Sequence, residues 1–145
     1  MIEYEDLSPG FKQALLAKIK SRQPYWRLLG IDLVDVKKGW AKLKLSFSDK
    51  LVHPFGVVHG GAIFSLADSA VAMALLGLID KTERFTTVET KINYVNPVRN
   101  GDISAESRII HKGNRIVIGE VEVRDEKGLL IAKSIATFMI IRRQP

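Results

Sequence analysis

No cysteine occurs among the 145 residues, which excludes a disulfide framework and any thiolate chemistry. The opening MIEYEDLSPG is acidic and polar and does not read as a secretory leader, so a cytoplasmic protein is the expectation. No linker, repeat or low-complexity segment interrupts the chain, and its length suits one domain. The three histidines are scattered and lack the paired spacing of a zinc site, so no metal is expected. The net charge of +6 favours an anionic partner: nucleic acid, an acidic membrane or a phosphorylated small molecule. The basic residues are not gathered into a stripe with aromatics, and no nucleic-acid motif is present. Nucleic acid is therefore not expected. With 46% hydrophobic and 26% charged residues the composition is that of a globular soluble protein.

The most informative stretch is HPFGVVHGGAIFSLADSAVAMA, residues 53–74. Residues 62–79 carry one charge, Asp68. The run only reaches the lower length of a membrane span, ~18 residues. It holds Ser65, Asp68, Ser69 and Gly77 and has no companion, so it reads instead as the core helix of a soluble domain, apolar all round. Burying a carboxylate costs several kcal/mol, about 1–3 even when partly compensated. Asp68 therefore reads as a working residue, against the alternative of a structural one bonded to a neighbour. Upstream, His59-Gly60-Gly61 opens the helix. Two glycines there let a ligand approach bare backbone N–H groups at the positive end of the helix dipole. An electrophile-binding helix start and a buried carboxylate together suit acyl transfer. Gly61, Ser65, Asp68 and Ala72, spaced four, three and four apart, form one small, partly polar stripe.

Around this helix the period is mostly two. Ser8 caps a first helix with Pro9 at its first position, and Phe11, Leu15, Leu16 and Ile19 recur at helical spacing. The helix ends near residues 21–24, and Tyr25 and Trp26 lie in a connecting segment. Residues 31–36 and 42–48 read as strands about a Lys37-Lys38-Gly39 turn. Residues 51–58 form an irregular loop, and the apolar helix runs to about residue 80. Four long strands follow, at 85–95, 102–111, 115–123 and 129–141, with turns at 112–114 and 125–128. Tight turns imply an antiparallel sheet, covered on one face by the helix. One sheet face cannot cover a helix that is apolar all round, so an α+β domain that oligomerises is expected.

This order resembles the hotdog-fold acyl-CoA thioesterases, in particular the phenylacetate-pathway branch that includes the thioesterase superfamily member 2 group. The stretches that carry the resemblance are LLGIDL (28–33), GVVHGGAIFSLADSA (56–70), TTVETKINYVNPVRNGD (86–102) and KGNR (112–115). It implies a hotdog fold: an antiparallel sheet of about five or six strands wrapped around one long buried helix. Residues 1–24 would be an N-terminal helical segment and 25–145 the thioesterase domain. It implies hydrolysis of an acyl-CoA to a free acid and coenzyme A, with no cofactor beyond the coenzyme A of the substrate. Asp68 would be the general base or nucleophile, Gly60 the amide that polarises the thioester carbonyl, His59 a residue near the thioester and Thr87 the water-positioning hydroxyl. Lys112 and Arg115, about Gly113, would lie near the nucleotide end of coenzyme A. Arg99 and Lys91 are weaker candidates for that end, and Gly61 and Ser65 line the substrate stripe. Where relatives often carry an asparagine, six residues before the motif histidine, this chain has His53.

Asp68 lies seven residues past Gly61, ~10 Å along the helix at 1.5 Å per residue, too far to serve a thioester at its own helix start. A partner helix running the other way brings its own Asp68 there, so two composite sites per dimer are expected, in a dimer of dimers. Two rival activities exist: a hotdog acyl-thioester dehydratase or hydratase, suggested by His53-Pro54-Phe55, and a non-catalytic acyl-CoA-binding module. The acyl group would be held by Phe55, Val57, Phe64 and Leu66. His111 is expected at the surface, Glu89 on a strand face or interface, and Trp26 and Trp40 as packing residues.

Overall fold

The computed structural model describes residues 3–142. Its elements are α1 (Pro9–Arg22), α2 (Pro24–Leu29), β1 (Ile31–Lys37), β2 (Trp40–Leu45), α3 (Gly60–Leu76), β3 (Glu83–Tyr94), β4 (Ile103–Lys112), β5 (Ile116–Asp125) and β6 (Leu130–Arg142), with a single 3-10 turn at Asp49–Leu51. The six strands form one sheet in the order β1-β2-β4-β5-β6-β3, antiparallel at every pairing. α3 touches all six strands, so the sheet wraps it, as expected for the α+β hotdog arrangement. Among the described residues no helix is long and apolar enough to cross a membrane.

The alternation seen in the sequence becomes the two faces of the sheet. Ala41, Leu43 and Leu45 of β2, Val117, Val121 and Val123 of β5, and Ala136, Phe138 and Ile140 of β6 are buried against α3. From α3 the residues Ala62, Ile63, Leu66, Ala67, Ala70, Val71, Met73, Ala74 and Leu75 are buried in return. Buried Ser107 donates its hydroxyl to Ala70 O of the helix at 2.7 Å. That bond lets a polar residue sit between sheet and helix without loss.

Three expectations are corrected. Tyr25 and Trp26 lie in a short helix, α2, started by Pro24 and closed by Gly30 at φ 84° with its N–H on Trp26 O. Ser8 holds the N-cap position of α1, but its side chain makes no cap bond. α3 stops at Leu76, short of residue 80, because the chain there meets the β1–β2 turn. A Cβ on Gly77 would lie 2.7 Å from Lys37 O. Trp40 packs as expected, half-buried on the outer sheet face: it stacks on Tyr4 and donates to Glu106.

α3 packs tightly on the sheet over Gly119 of β5, where a Cβ would come 2.6 Å from Val71 Cγ1. Gly119→Ala is predicted to destabilise the fold by ~1–3 kcal/mol, the usual cost of overpacking a filled core, read as a lower urea midpoint with unchanged slope.

Candidate active site

β3 positions the carboxylate's partners. Its register against β6 passes from Thr87 opposite Phe138 to Glu89 opposite Thr137, so Val88 is an extra residue with no partner. A bulge of this kind resets the alternation of faces. The side facing α3 then reads Phe85 and Thr87 before the bulge and Thr90, Ile92 and Tyr94 after it. Two threonines three apart, which regular pleating would send to opposite faces, both reach Asp68. Thr87 Oγ1 donates to Asp68 Oδ1 at 3.1 Å and lies 3.4 Å from Oδ2. Thr90 Oγ1 donates to Oδ1 at 3.3 Å. Thr87 was expected near the site; Thr90 was not.

Asp68 lies on the less buried side of α3 with Gly61, Ser65 and Ala72, the stripe the spacing marked out, and with Ser69 beside it. Burial raises its carboxyl above the ordinary 3.8, and the two threonine hydrogen bonds take back part of that rise.

The helix start is a cap built from its own motif. His59 is the N-cap of α3, and its Nδ1 accepts the Gly61 N–H at 2.8 Å. A Cβ on Gly61 would fall 3.0 Å from that nitrogen and press on the cap. The Gly61 N–H is engaged in the cap and is not free for a ligand. The Gly60 N–H, in contrast, donates no hydrogen bond among the described residues and stands at the positive end of the helix dipole. Gly60 itself lies against Tyr94: the phenol donates to Gly60 O at 2.9 Å, and a Cβ would meet Tyr94 Cζ at 3.2 Å.

His53 sits beside this start, its ring edge-on to that of His59 with centroids 6.3 Å apart. Its Nδ1 accepts the Phe55 N–H at 3.0 Å. Both histidines thus accept a backbone N–H at Nδ1, so each neutral ring carries its proton on Nε2. Arg99 lies in the adjoining loop, which reaches the same region through Val58 N–H on Val98 O. Ser65 Oγ donates to Gly61 O at 2.9 Å and lies 2.8 Å from Tyr25 Oη. Together with Trp26 Nε1 on Ser69 Oγ, this lashes α2 to α3.

Other expected residues are elsewhere. Lys112, Gly113 and Arg115 form the β4–β5 turn at the opposite end of the sheet, tied to the start of β3 through Arg142, which bonds both Asn114 and Glu83. Within one chain they are remote from the helix start. Leu66 is fully buried in the core of the chain. Phe55 is 88% exposed and Phe64 partly buried. His111 and Glu89 are exposed, as expected. Tyr94, Thr90 and Tyr25 escaped sequence reasoning. Only the three-residue step between two threonines in TTVET hinted that a bulge would turn both inward.

Because the folded carboxyl of Asp68 titrates above its unfolded value, ionising it costs folding stability. That cost is absent below about 3.8, grows as pH rises through the folded value and is constant above it. Asp68→Asn is therefore predicted to be more stable than the parent at pH 7.5. The advantage should shrink as pH falls toward 4, measured by urea unfolding at fixed protein concentration.

Known proteins share both sequence and shape with this chain. The profile of the thioesterase superfamily matches residues 55–132, more than half of its length. A chain of Saccharolobus solfataricus, provisionally named an esterase, is 30% identical over 138 residues, covering 95% of this chain and 91% of that one. The medium/long-chain acyl-CoA thioesterase YigI of Escherichia coli is 27% identical over 132 residues, 81% of this chain and 85% of that one. Among solved structures, the E. coli protein PaaI from the phenylacetic acid degradation operon superposes with TM-score 0.82 at 21% identity, over 92% of this chain and 96% of that chain. At that identity the likeness speaks for the fold. By profile and by sequence the chain belongs to the thioesterase superfamily, the thioester hydrolases.

Proposed function

We propose that the protein hydrolyses an acyl-CoA to a free acid and coenzyme A, at two composite sites of a homodimer that pairs further into a tetramer. The observation that carries this reading is the half-buried Asp68, oriented by Thr87 and Thr90, on the same helix as a Gly60 N–H that has no partner among the described residues.

The two groups divide the reaction. Asp68 takes a proton from water as the water oxygen bonds to the thioester carbon, or bonds to that carbon directly, in which case the mixed anhydride left after the thiolate departs is hydrolysed by water to the free acid and the Asp68 carboxylate. The carbonyl oxygen gains the negative charge, and the Gly60 N–H stabilises it, a contribution worth ~3–4 kcal/mol where one donor has been removed. The C–S bond then breaks and the thiolate takes up a proton. His59 and His53, each with a free Nε2 at this end, supply donors on the leaving-group side.

The two groups lie ~12 Å apart along one helix, about eight residues at ~1.5 Å each, so the complementary half must come from elsewhere. β3 is the end strand of the sheet and pairs with β6 on one side only. An edge of twelve residues is a ready template for pairing with another chain. Antiparallel pairing of two β3 strands about a two-fold axis near Thr90 and Lys91 runs the two α3 helices in opposite directions. Tyr94, and with it Gly60, then faces the partner subunit's Thr87–Thr90 segment, which carries the partner subunit's Asp68. The same operation brings the partner subunit's β4–β5 turn to the end of the dimer that holds this helix start. There the turn's Lys112 and Arg115 can meet the nucleotide phosphates, and Arg99 adds a third charge.

Asp68→Asn is predicted to lower kcat at least ~100-fold, the low end of general acid–base contributions, with the fold intact. A thiol-release assay over a panel of acyl-CoAs measures this. Mixed dimers of Asp68→Asn and Gly60→Pro subunits, each checked for folding and exchange, should regain one working site; no recovery would place both groups in one subunit. Reversing both charges at Lys112 and Arg115 should raise KM for acyl-CoA more than for an acyl-pantetheine without the nucleotide. Equal effects on the two substrates would leave the turn a solvated loop. An enoyl-thioester hydration assay run beside these separates hydrolysis from hydration.

A further inference from the structure

The peptide between Gly60 and Gly61 is held at both ends. Its carbonyl accepts the Tyr94 hydroxyl at 2.9 Å, and its N–H donates to His59 Nδ1 at 2.8 Å. Hydrogen bonds in such a chain polarise one another: a donor on the carbonyl makes the N–H a stronger donor to the imidazole. The Tyr94 ring also lies on Gly60 itself, where a Cβ would sit 3.2–3.4 Å from three of its atoms. Glycine is the residue with the most backbone freedom to lose. Two successive glycines at a helix start would therefore present a poorly fixed N–H unless something outside the helix restrained them. Tyr94, from the far end of β3, is that restraint.

We propose that Tyr94 is a positioning residue for thioester hydrolysis, holding the Gly60–Gly61 peptide so that the Gly60 N–H and, through the His59 cap, the His59 Nε2 are presented to the substrate in fixed directions. This rests on the functional reading above. It adds to that reading a residue that touches neither the proposed reacting atoms nor Asp68. Burial raises the Tyr94 phenol above its ordinary 10.0, so the hydroxyl keeps the proton it donates across the neutral range. Tyr94 faces inward only because of the bulge at Val88. The device that gives Asp68 its two hydroxyls therefore also places the ring on Gly60.

Two variants separate the parts of the contact. Tyr94→Phe keeps the ring and loses the hydroxyl; Tyr94→Leu loses both. Each is measured for acyl-CoA hydrolysis and, in 15N-labelled full-length protein, by the amide signals of Gly60 and Gly61 and the ring nitrogens of His59. The expected result is kcat lowered about 3–10-fold in Tyr94→Phe, the scale of one neutral hydrogen bond, and about 100-fold in Tyr94→Leu, the scale of a misplaced reacting group. KM should stay within about twofold in both. The Gly61 amide proton should move upfield in both, and in Tyr94→Leu the His59 ring should lose its single Nε2–H tautomer. Four results overturn the proposal: unchanged kcat in both variants, a rise in KM alone, unmoved Gly61 and His59 signals despite a fall in kcat, or moved signals without one. If the parent protein hydrolyses no acyl-CoA, the functional reading fails. The resonances alone then decide whether Tyr94 orders the helix start, and unmoved resonances sink that as well.

Discussion

Strand β3 carries one residue more than β6 can pair, and what faces the buried helix depends on where that residue falls. With Val88 left out of the register, Thr87 and Thr90 both turn toward Asp68, Ile92 packs on the core and Tyr94 reaches Gly60. Without the bulge, regular alternation from Phe85 would turn Glu89, Lys91 and Asn93 inward. Two charged side chains would then lie against an apolar helix, at several kcal/mol each, and Asp68 would lose one of its two hydroxyl partners. The bulge thus couples the strand to the helix at two places, the carboxylate in the middle of α3 and the glycines at its start. Bulges recur beside active sites because they re-aim side chains without changing the sheet.

Two opposing influences act on Asp68. Burial is the larger and favours the neutral acid; the threonine hydroxyls favour the carboxylate. No lysine, arginine or histidine is paired with it among the described residues. A nearby cation would make Asp68 a stable ion and a poor base. Hydroxyl donors alone orient the carboxylate and leave its basicity raised, which is the condition a general base near neutral pH requires. Such a group costs stability where it is ionised. This trade is common at sites that do chemistry.

Much of this was legible in the sequence because the signals were local. Alternation gave the strands, Asp125-Glu126-Lys127-Gly128 the hairpin, and an apolar run with one carboxylate after His-Gly-Gly the helix and the two ends of the site. What was not legible depended on pairing. TTVETKINY reads as a strand in either phase, since its threonines and valine suit both faces, so the three-residue step between Thr87 and Thr90 was the one local hint of the bulge at Val88, and nothing local revealed Tyr94 as inward-facing. α2 is six residues long, too short for a helical period to emerge, and Pro24 and Gly30 mark only its ends. Trp40 packs on the outer sheet face because β2 buries Ala41, Leu43 and Leu45, and the residue one step away then belongs to the other face. Leu66 lies on the face of α3 that the sheet covers completely.

The incomplete parts of the molecule lie on one side. The stripe of α3 that the sheet leaves less covered holds Ser65, Asp68 and Ala72. The unpaired edge belongs to β3, the strand whose threonines bond that same Asp68. Tyr94 is 49% exposed and Val88 57%, on the same strand. A second copy paired along β3 would satisfy the edge hydrogen bonds and cover the stripe. It would also place an oppositely directed helix beside this one, with its carboxylate near this helix start. One two-fold operation would meet all three needs. A partner of unrelated shape could cover the edge, but it would leave the Gly60 N–H without a carboxylate. In the proposed dimer, symmetry would make covering the edge and completing the site the same event.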